Sequence, residues 1–172
     1  PSGGPSRYQA DWQTPDTQVI TLEFDNNTSM IWEGRSCNGK PVEGASVGVV
    51  FYGEKGSLTI DGNAYTIYDL KNKVVKEVKN NVKIDARNLT NPAETLDSFH
   101  FQNFFAGIRQ GTPLNADILS GHKSTLLCQL GNIALRSGNT LHIDPANGHI
   151  RNDAAAERFW KREYQPGWAP SI

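Results

Sequence analysis

The sequence predicts an α+β domain, on three observations. The first half carries the period-two alternation of half-buried strands, punctuated by turn residues. Polar residues at every second strand position describe a mainly antiparallel sheet with one packed face and one face open to solvent or a partner. The second half carries apolar residues at helical spacing.

Residues 18–24 place Ile20, Leu22 and Phe24 on one face and Val19, Thr21 and Glu23 on the other, which is a strand. Asp25-Asn26-Asn27-Thr28 is a turn, because Asn and Asp tolerate left-handed backbone. Residues 29–33 form the return strand, and a polar loop runs from Gly34 to Gly44. The continuous apolar run at residues 47–52 reads as a central strand. Glu54-Lys55-Gly56 turns the chain into residues 57–61, and Asp61-Gly62-Asn63 is a hairpin signal leading to residues 64–69. Residues 73–78 complete a meander, and residues 79–95 read as an irregular surface loop.

From Leu96 to Gln110, the residues Phe101, Phe104, Phe105 and Ile108 predict one buried helical stripe, stopped by Gly111 and Pro113. A second helix is expected from Ala116 to Ser137, burying Leu126, Leu130, Ile133 and Ala134 and ending at Gly138. Gly121 and Gly131 lie inside it and each costs ~1 kcal/mol against Ala. Both therefore predict close approach of a neighbouring backbone. A strand at 140–144, a turn at Asp144–Gly148 and a short helix capped by Asn152 or Asp153 and running through Trp160 follow. Pro166 stops any helix in the tail, whose Tyr164 and Trp168 are expected to dock on a surface.

The 172 residues fit one domain spanning 1–172. Hydrophobic residues make up 37% and charged residues 20%, a globular balance that excludes wholesale disorder. The net charge of −1 leaves no basic stripe to neutralise phosphates, so no nucleic-acid partner is expected. No apolar run approaches the ~20 residues of a membrane helix, and the chain reads as soluble, with its compartment open between cytoplasmic and exported. Cys37 and Cys128 read as two buried free thiols, with a single bridge left open. N-x-S/T triplets begin at Asn26, Asn27 and Asn88 and carry little meaning without a compartment. The opening Pro-Ser-Gly-Gly-Pro-Ser is linker-like, and the chain lacks an initiating Met, so it reads as a processed product or a piece of a longer protein.

Motifs for chemistry are absent. Neither Gly-x-Gly-x-x-Gly nor a phosphate loop occurs. The histidines at 100, 122, 142 and 149 lack zinc spacing, and no nucleophile elbow is found. No catalytic, cofactor-binding or metal-binding residue is therefore assigned. His100, beside the aromatic stripe, reads as a packing histidine. Two places could bind substrate. Arg35 and Asn38 follow a strand beside Trp32, and a guanidinium, an amide and an indole suit a polyhydroxyl or anionic ligand. His122 and Lys123 lie near the start of the second helix, where backbone N–H groups favour anions.

The stretch from His100 to Pro145, WEGRSCNG from Trp32, YGEKGSLTIDGNAYTIYD from Tyr52 and REYQPGW from Arg162 together resemble the C-terminal domain of the glucose–fructose oxidoreductase / inositol dehydrogenase family. The resemblance implies an open-faced, mainly antiparallel sheet with helices packed on one face. It implies NAD or NADP in the full-length protein, held by an N-terminal Rossmann domain that would lie upstream of Pro1, and none bound by residues 1–172 alone. It implies homo-oligomers through the open sheet face and a pocket wall for a sugar, cyclitol or related polyol, to which Arg35, Asn38, His122 and Lys123 would contribute. The family's Glu-Lys-Pro and Gly-x-His-x-x-Asp segments are missing, so the chain is expected to be inactive in isolation. A stand-alone carbohydrate-binding or dimerisation module and part of an NAD-dependent glycoside-cleaving enzyme are the alternatives.

Overall fold

The computed structural model describes residues 1–7, 11–12, 14–62, 64–79 and 94–169, with residues 94–96 by backbone only. It is α+β, as expected. The chain forms two compact units: Pro1–Asn38 with Ala116–Ile172, and Gly39–Asn115. Among the described residues every strand pairing is antiparallel, and the strands fall into three open sheets.

The first unit opens with β1 (Ser2–Gly4), β2 (Thr17–Glu23) and β3 (Ser29–Arg35), paired in that order. The β2–β3 turn is the one expected. The Asn26 carboxamide oxygen accepts the Thr28 N–H at 3.2 Å and its hydroxyl at 2.6 Å. Asn27 takes the left-handed backbone at φ 61°. Register sets Ile20 opposite Trp32 and Leu22 opposite Met30, which makes one apolar face. Phe24 lies past the end of β2 and is exposed, so the predicted stripe stops one residue short. Asp16 is buried and accepts the Ser6 and Arg7 N–H groups at 2.9 Å each, together with the Thr17 hydroxyl at 2.8 Å. A buried carboxylate needs such donors, and here they tie the N-terminal segment to the start of β2.

The second unit is a meander of β4 (Val49–Gly53), β5 (Gly56–Asp61), β6 (Ala64–Tyr68) and β7 (Val74–Val78). Its register gathers Val49, Phe51, Leu58, Ile60, Tyr65, Ile67 and Val78 on one face. Ser57, Thr59, Thr66 and Glu77 lie on the other. At Gly56, φ is 150° and the Tyr68 carbonyl occupies the place of a Cβ, so only glycine fits there. The apolar run at 47–52 is not central: among the described residues β4 pairs with β5 alone and forms an edge of this sheet. An unbroken apolar run carries no period, so it marks a strand without ranking its place in a sheet.

Residues 80–93 of the expected loop, Asn63 of the hairpin signal and the triplet at Asn88 lie outside the described residues. The helix α1 (Glu94–Gln110) ends at Gly111, whose φ is 68° and whose N–H reaches the Gly107 carbonyl at 3.1 Å. Asn103 holds the exit loop by donating to the Pro113 carbonyl at 3.0 Å and accepting from Asn115 N–H at 2.9 Å. The aromatic stripe is not buried. Phe101, Phe104, Phe105 and Ile108 are 57, 46, 48 and 66% exposed. Helical spacing decides which side chains share a face, and it does not supply the neighbour that covers them. The rings instead rest on one another, Phe104 on Phe105 at 5.7 Å and Phe101 on Phe105 at 6.4 Å.

The chain then returns to the first unit. The helix α2 (Ile118–Ser137) begins at the N-cap Asp117 and ends at Gly138, whose φ of 71° makes the left-handed cap. The hairpin of β8 (His142–Ile143) and β9 (Ile150–Arg151) follows, then α3 (Ala154–Glu157), capped by Asp153. Both are shorter than predicted, since α3 passes into hydrogen-bonded turns before Trp160. The core is Leu130, Ile133, Ile150 and Ala156, with Leu126, Leu141, Ile143 and Trp160 packed against it. Cys128 sits two residues from both Leu126 and Leu130, hence on the far side of the helix, and is exposed. Cys37 is half-exposed, and both thiols are free. In the tail Tyr164 is 43% and Trp168 79% exposed, so neither is docked as expected. Trp168 closes a turn around Gly167, where φ is 83°.

The two helix glycines differ. A Cβ on Gly131 would collide with the Ile20 side chain, whereas one on Gly121 would meet nothing within 4 Å. What approaches Gly131 is a side chain rather than the backbone expected, and Gly121 faces open space. Gly121→Ala is expected to raise stability by ~1 kcal/mol in urea unfolding, the helix-propensity gain alone. Gly131→Val is expected to lower it by about 1–3 kcal/mol through overpacking. Adding Ile20→Val, which removes the colliding methyl, should recover part of that loss.

Candidate functional site

All four residues expected to bind substrate lie in the first unit. Arg35 ends β3, and its Nε sits 3.0 Å from the Glu33 carboxylate, two residues back on the same face. Both side chains are partly open to water, at 29 and 49%. Solvent screens such a pair, which positions the guanidinium more than it stabilises the fold. Trp32 projects from the opposite face of β3 and is 57% exposed. The guanidinium and the indole are thus not side by side, because strand side chains alternate.

The loop after β3 is well held. The Asn38 N–H donates to the Arg35 carbonyl at 3.1 Å, and the Ser36 N–H donates to the Asp16 carbonyl at 2.9 Å. Arg7 Nη1 donates to the Cys37 carbonyl at 2.6 Å. Arg35 and Asn38 therefore share one hydrogen-bonded turn.

His122 and Lys123 lie in the second turn of α2, and both are exposed. The helix begins later than predicted, so they stand past its first N–H groups. Those groups are engaged. Leu119 N–H and Ser120 N–H each donate to the Asp117 carboxylate at 3.0 Å, and the Ser120 hydroxyl donates to it at 2.6 Å. A carboxylate already occupies the positive end of the dipole and takes two of the donors on which an anion site there would rest. His100 is exposed beside Phe101 at 6.2 Å rather than packed in a core.

Two arrangements were not legible in the sequence. Around the β8–β9 hairpin, Arg151 Nη2 lies 3.0 Å from Asp144 Oδ1, and the His149 ring stacks on Trp160 at 4.7 Å. The Asp144–Gly148 turn signal marked the place without revealing the pairing. In the second unit a shallow, largely apolar groove of about 480 Å³ is lined by residues including Phe51, Lys55, Leu58, Ile67 and Tyr68. Its apolar lining comes from three strands, Phe51 from β4, Leu58 from β5 and Ile67 and Tyr68 from β6, which only register brings together.

Among the described residues no cluster of three or more His, Cys, Asp or Glu could hold a metal ion. No described helix is long and apolar enough to cross a membrane. A dinucleotide crevice forms at the carboxyl ends of parallel strands. The described pairings are all antiparallel, so they form no crevice of that type.

Three carboxyls titrate below the ordinary 3.8: Asp117 through the Ser120 hydroxyl and N–H, Asp144 through the Ala146 N–H and then Arg151, and Asp153 through the Ala156 N–H and then Asn139. The unfolded chain binds protons more readily at these positions. Their contribution is therefore complete above the unfolded value and is lost as pH falls through the depressed values. Thermal unfolding followed from neutral pH down to about pH 2 should show the midpoint falling below roughly pH 4. Asp117→Asn should shallow that fall.

No curated protein matches the chain, and no solved structure matches it. A family model described as the C-terminal α/β domain of an oxidoreductase family matches residues 18–170. That span holds the described strands and helices from β2 to α3. The chain belongs to this family, the one containing glucose–fructose oxidoreductase and inositol dehydrogenase, through its C-terminal α/β domain.

Proposed function

We propose that this domain forms the substrate side of a NAD- or NADP-dependent oxidoreductase acting on a sugar, cyclitol or related polyol. The family match over residues 18–170 carries this reading. An upstream Rossmann domain would hold the dinucleotide, which supplies hydride chemistry when bound, and would contribute the acid–base groups. The present chain would bind and orient substrate. Arg35, held by Glu33, and Asn38, in the same turn, offer a fixed donor fork and an amide to hydroxyl groups. His122 and Lys123 add donors one helical turn beyond the capped end of α2. The exposed apolar sheet face of β4–β7 supports a second role in self-association.

A second reading, a carbohydrate-binding module, draws support from Trp32 and Trp168 at 57 and 79% exposure. Aromatic faces open to water stack on sugars.

Steady-state kinetics on the chain joined to its dinucleotide-binding domain test the first reading. Arg35→Ala is expected to raise KM for the polyol about tenfold with a smaller change in kcat, as loss of a charge-assisted hydrogen bond implies. An unchanged KM would remove Arg35 from the pocket. The 172-residue chain alone should show no turnover with NAD or NADP, and turnover would sink the division of labour. Sugar binding by the chain alone, abolished by Trp32→Ala, would favour the module instead.

A further inference from the structure

Asp144-Pro145 is the one Asp-Pro dipeptide in the chain, and it opens the turn between β8 and β9. An Asp-Pro bond is labile in acid, because the proline nitrogen belongs to a tertiary amide and is a better leaving group once protonated. A side-chain oxygen of the aspartate attacks its own backbone carbonyl carbon. A C–O bond forms, the C–N bond breaks, and the proline nitrogen leaves as an amine with a proton taken from the acidic solvent. Water then opens the cyclic anhydride and leaves a C-terminal aspartate. The sum is hydrolysis, so no oxidant, reductant or enzyme is needed. The step requires the carboxyl to swing over its own carbonyl.

The fold ties that carboxyl elsewhere. Oδ1 accepts the Ala146 N–H at 2.9 Å, ahead along the turn, and lies 3.0 Å from Arg151 Nη2, across the hairpin. A carboxyl is one planar group, so holding Oδ1 restrains Oδ2 with it. The Asp144 N–H donates to the His149 carbonyl at 2.8 Å, and the Asp144 carbonyl accepts the Gly148 N–H at 2.7 Å. That donor polarises the carbonyl but also fixes its plane, while the nucleophile must leave two partners to reach it. The Ala146 N–H first, then Arg151 on β9 and, more weakly, His149 in the turn hold the carboxyl below its ordinary range, so it keeps its partners as pH falls. Pro145 is exposed, and protons and water have access to the leaving nitrogen.

We infer that the Asp144–Pro145 bond is a latent self-cleavage site, held shut by the β8–β9 hairpin and released when the hairpin loosens in acid. A cut there would separate Ile150, Ala156 and Trp160 from the α2 residues with which they form the core, so the damaged chain could not rebuild it. The inference stands apart from any role in substrate binding, since none of these groups is assigned to the pocket.

The test is incubation of the purified chain at about pH 4, where the fold is expected to hold, with and without urea. Mass spectrometry follows the products over days, and circular dichroism reports whether each sample stays folded. In urea, fragments 1–144 and 145–172 are expected. In the folded chain they should form more slowly by about tenfold or more, the factor for giving up one charge-assisted hydrogen bond before closure. Arg151→Ala should speed cleavage of the folded chain and leave the rate in urea unchanged, whereas Arg151→Lys, which keeps the charge pair, should stay near the slow rate. Equal rates with and without urea, no cut at this bond in urea, or a folded rate insensitive to Arg151→Ala would overturn the inference. Should Arg151→Ala unfold, the comparison with and without urea in the unsubstituted chain decides by itself.

Discussion

Ile20 fills the space that the missing side chain of Gly131 leaves open. This contact joins the β1–β3 sheet to α2 in the first unit, since Ile20 is among its buried strand residues and Gly131 lies within the buried stretch of the helix. A glycine inside a helix is costly by propensity. Here it lets a β-branched side chain enter the helix surface, and the buried apolar area offsets the loss. Leu130, Ile133 and Ala134 flank that contact, and the first two carry the packing on to Ile150 and, with it, Ala156. The turn after β3, which holds Arg35 and Asn38, therefore rests on a strand whose partner is anchored to the core.

The polar framework of this unit is local. Asp16, Asp117, Asp144 and Asp153 each accept backbone N–H groups at a place where the chain changes direction. Such groups would otherwise be orphaned donors at helix starts and turns. The same chemistry explains why the start of α2 makes a poor anion site. A helix end that gives two of its donors to its own carboxylate has fewer left to offer and no unopposed positive dipole.

The second unit differs in kind. Its meander gathers most of its apolar residues on one face, and its helix carries an aromatic stripe, yet none of its described residues falls among the buried ones. Apolar faces of this extent are unusual on a free surface.

Strand and helix positions, both helix stops and the Asp25–Thr28 turn were legible in the sequence, because each depends on spacing and backbone preference within a few residues. Gly111 and Gly138 needed only their freedom at positive φ. Arg35 and Asn38 were legible as residue types, and their shared turn followed from the loop. What lay beyond the sequence was every question of neighbourhood. Helical spacing drew the stripe of Phe101, Phe104, Phe105 and Ile108 but not its exposure, and an apolar run drew β4 but not its edge position. Alternation already separates Trp32 from Arg35, but only pairing with β2 decided which face meets Ile20. The sequence by itself determined local conformation, since that is set by interactions within a turn or two. Tertiary structure alone decided which apolar face is covered and which glycine is crowded, since each of these depends on residues brought close only by folding.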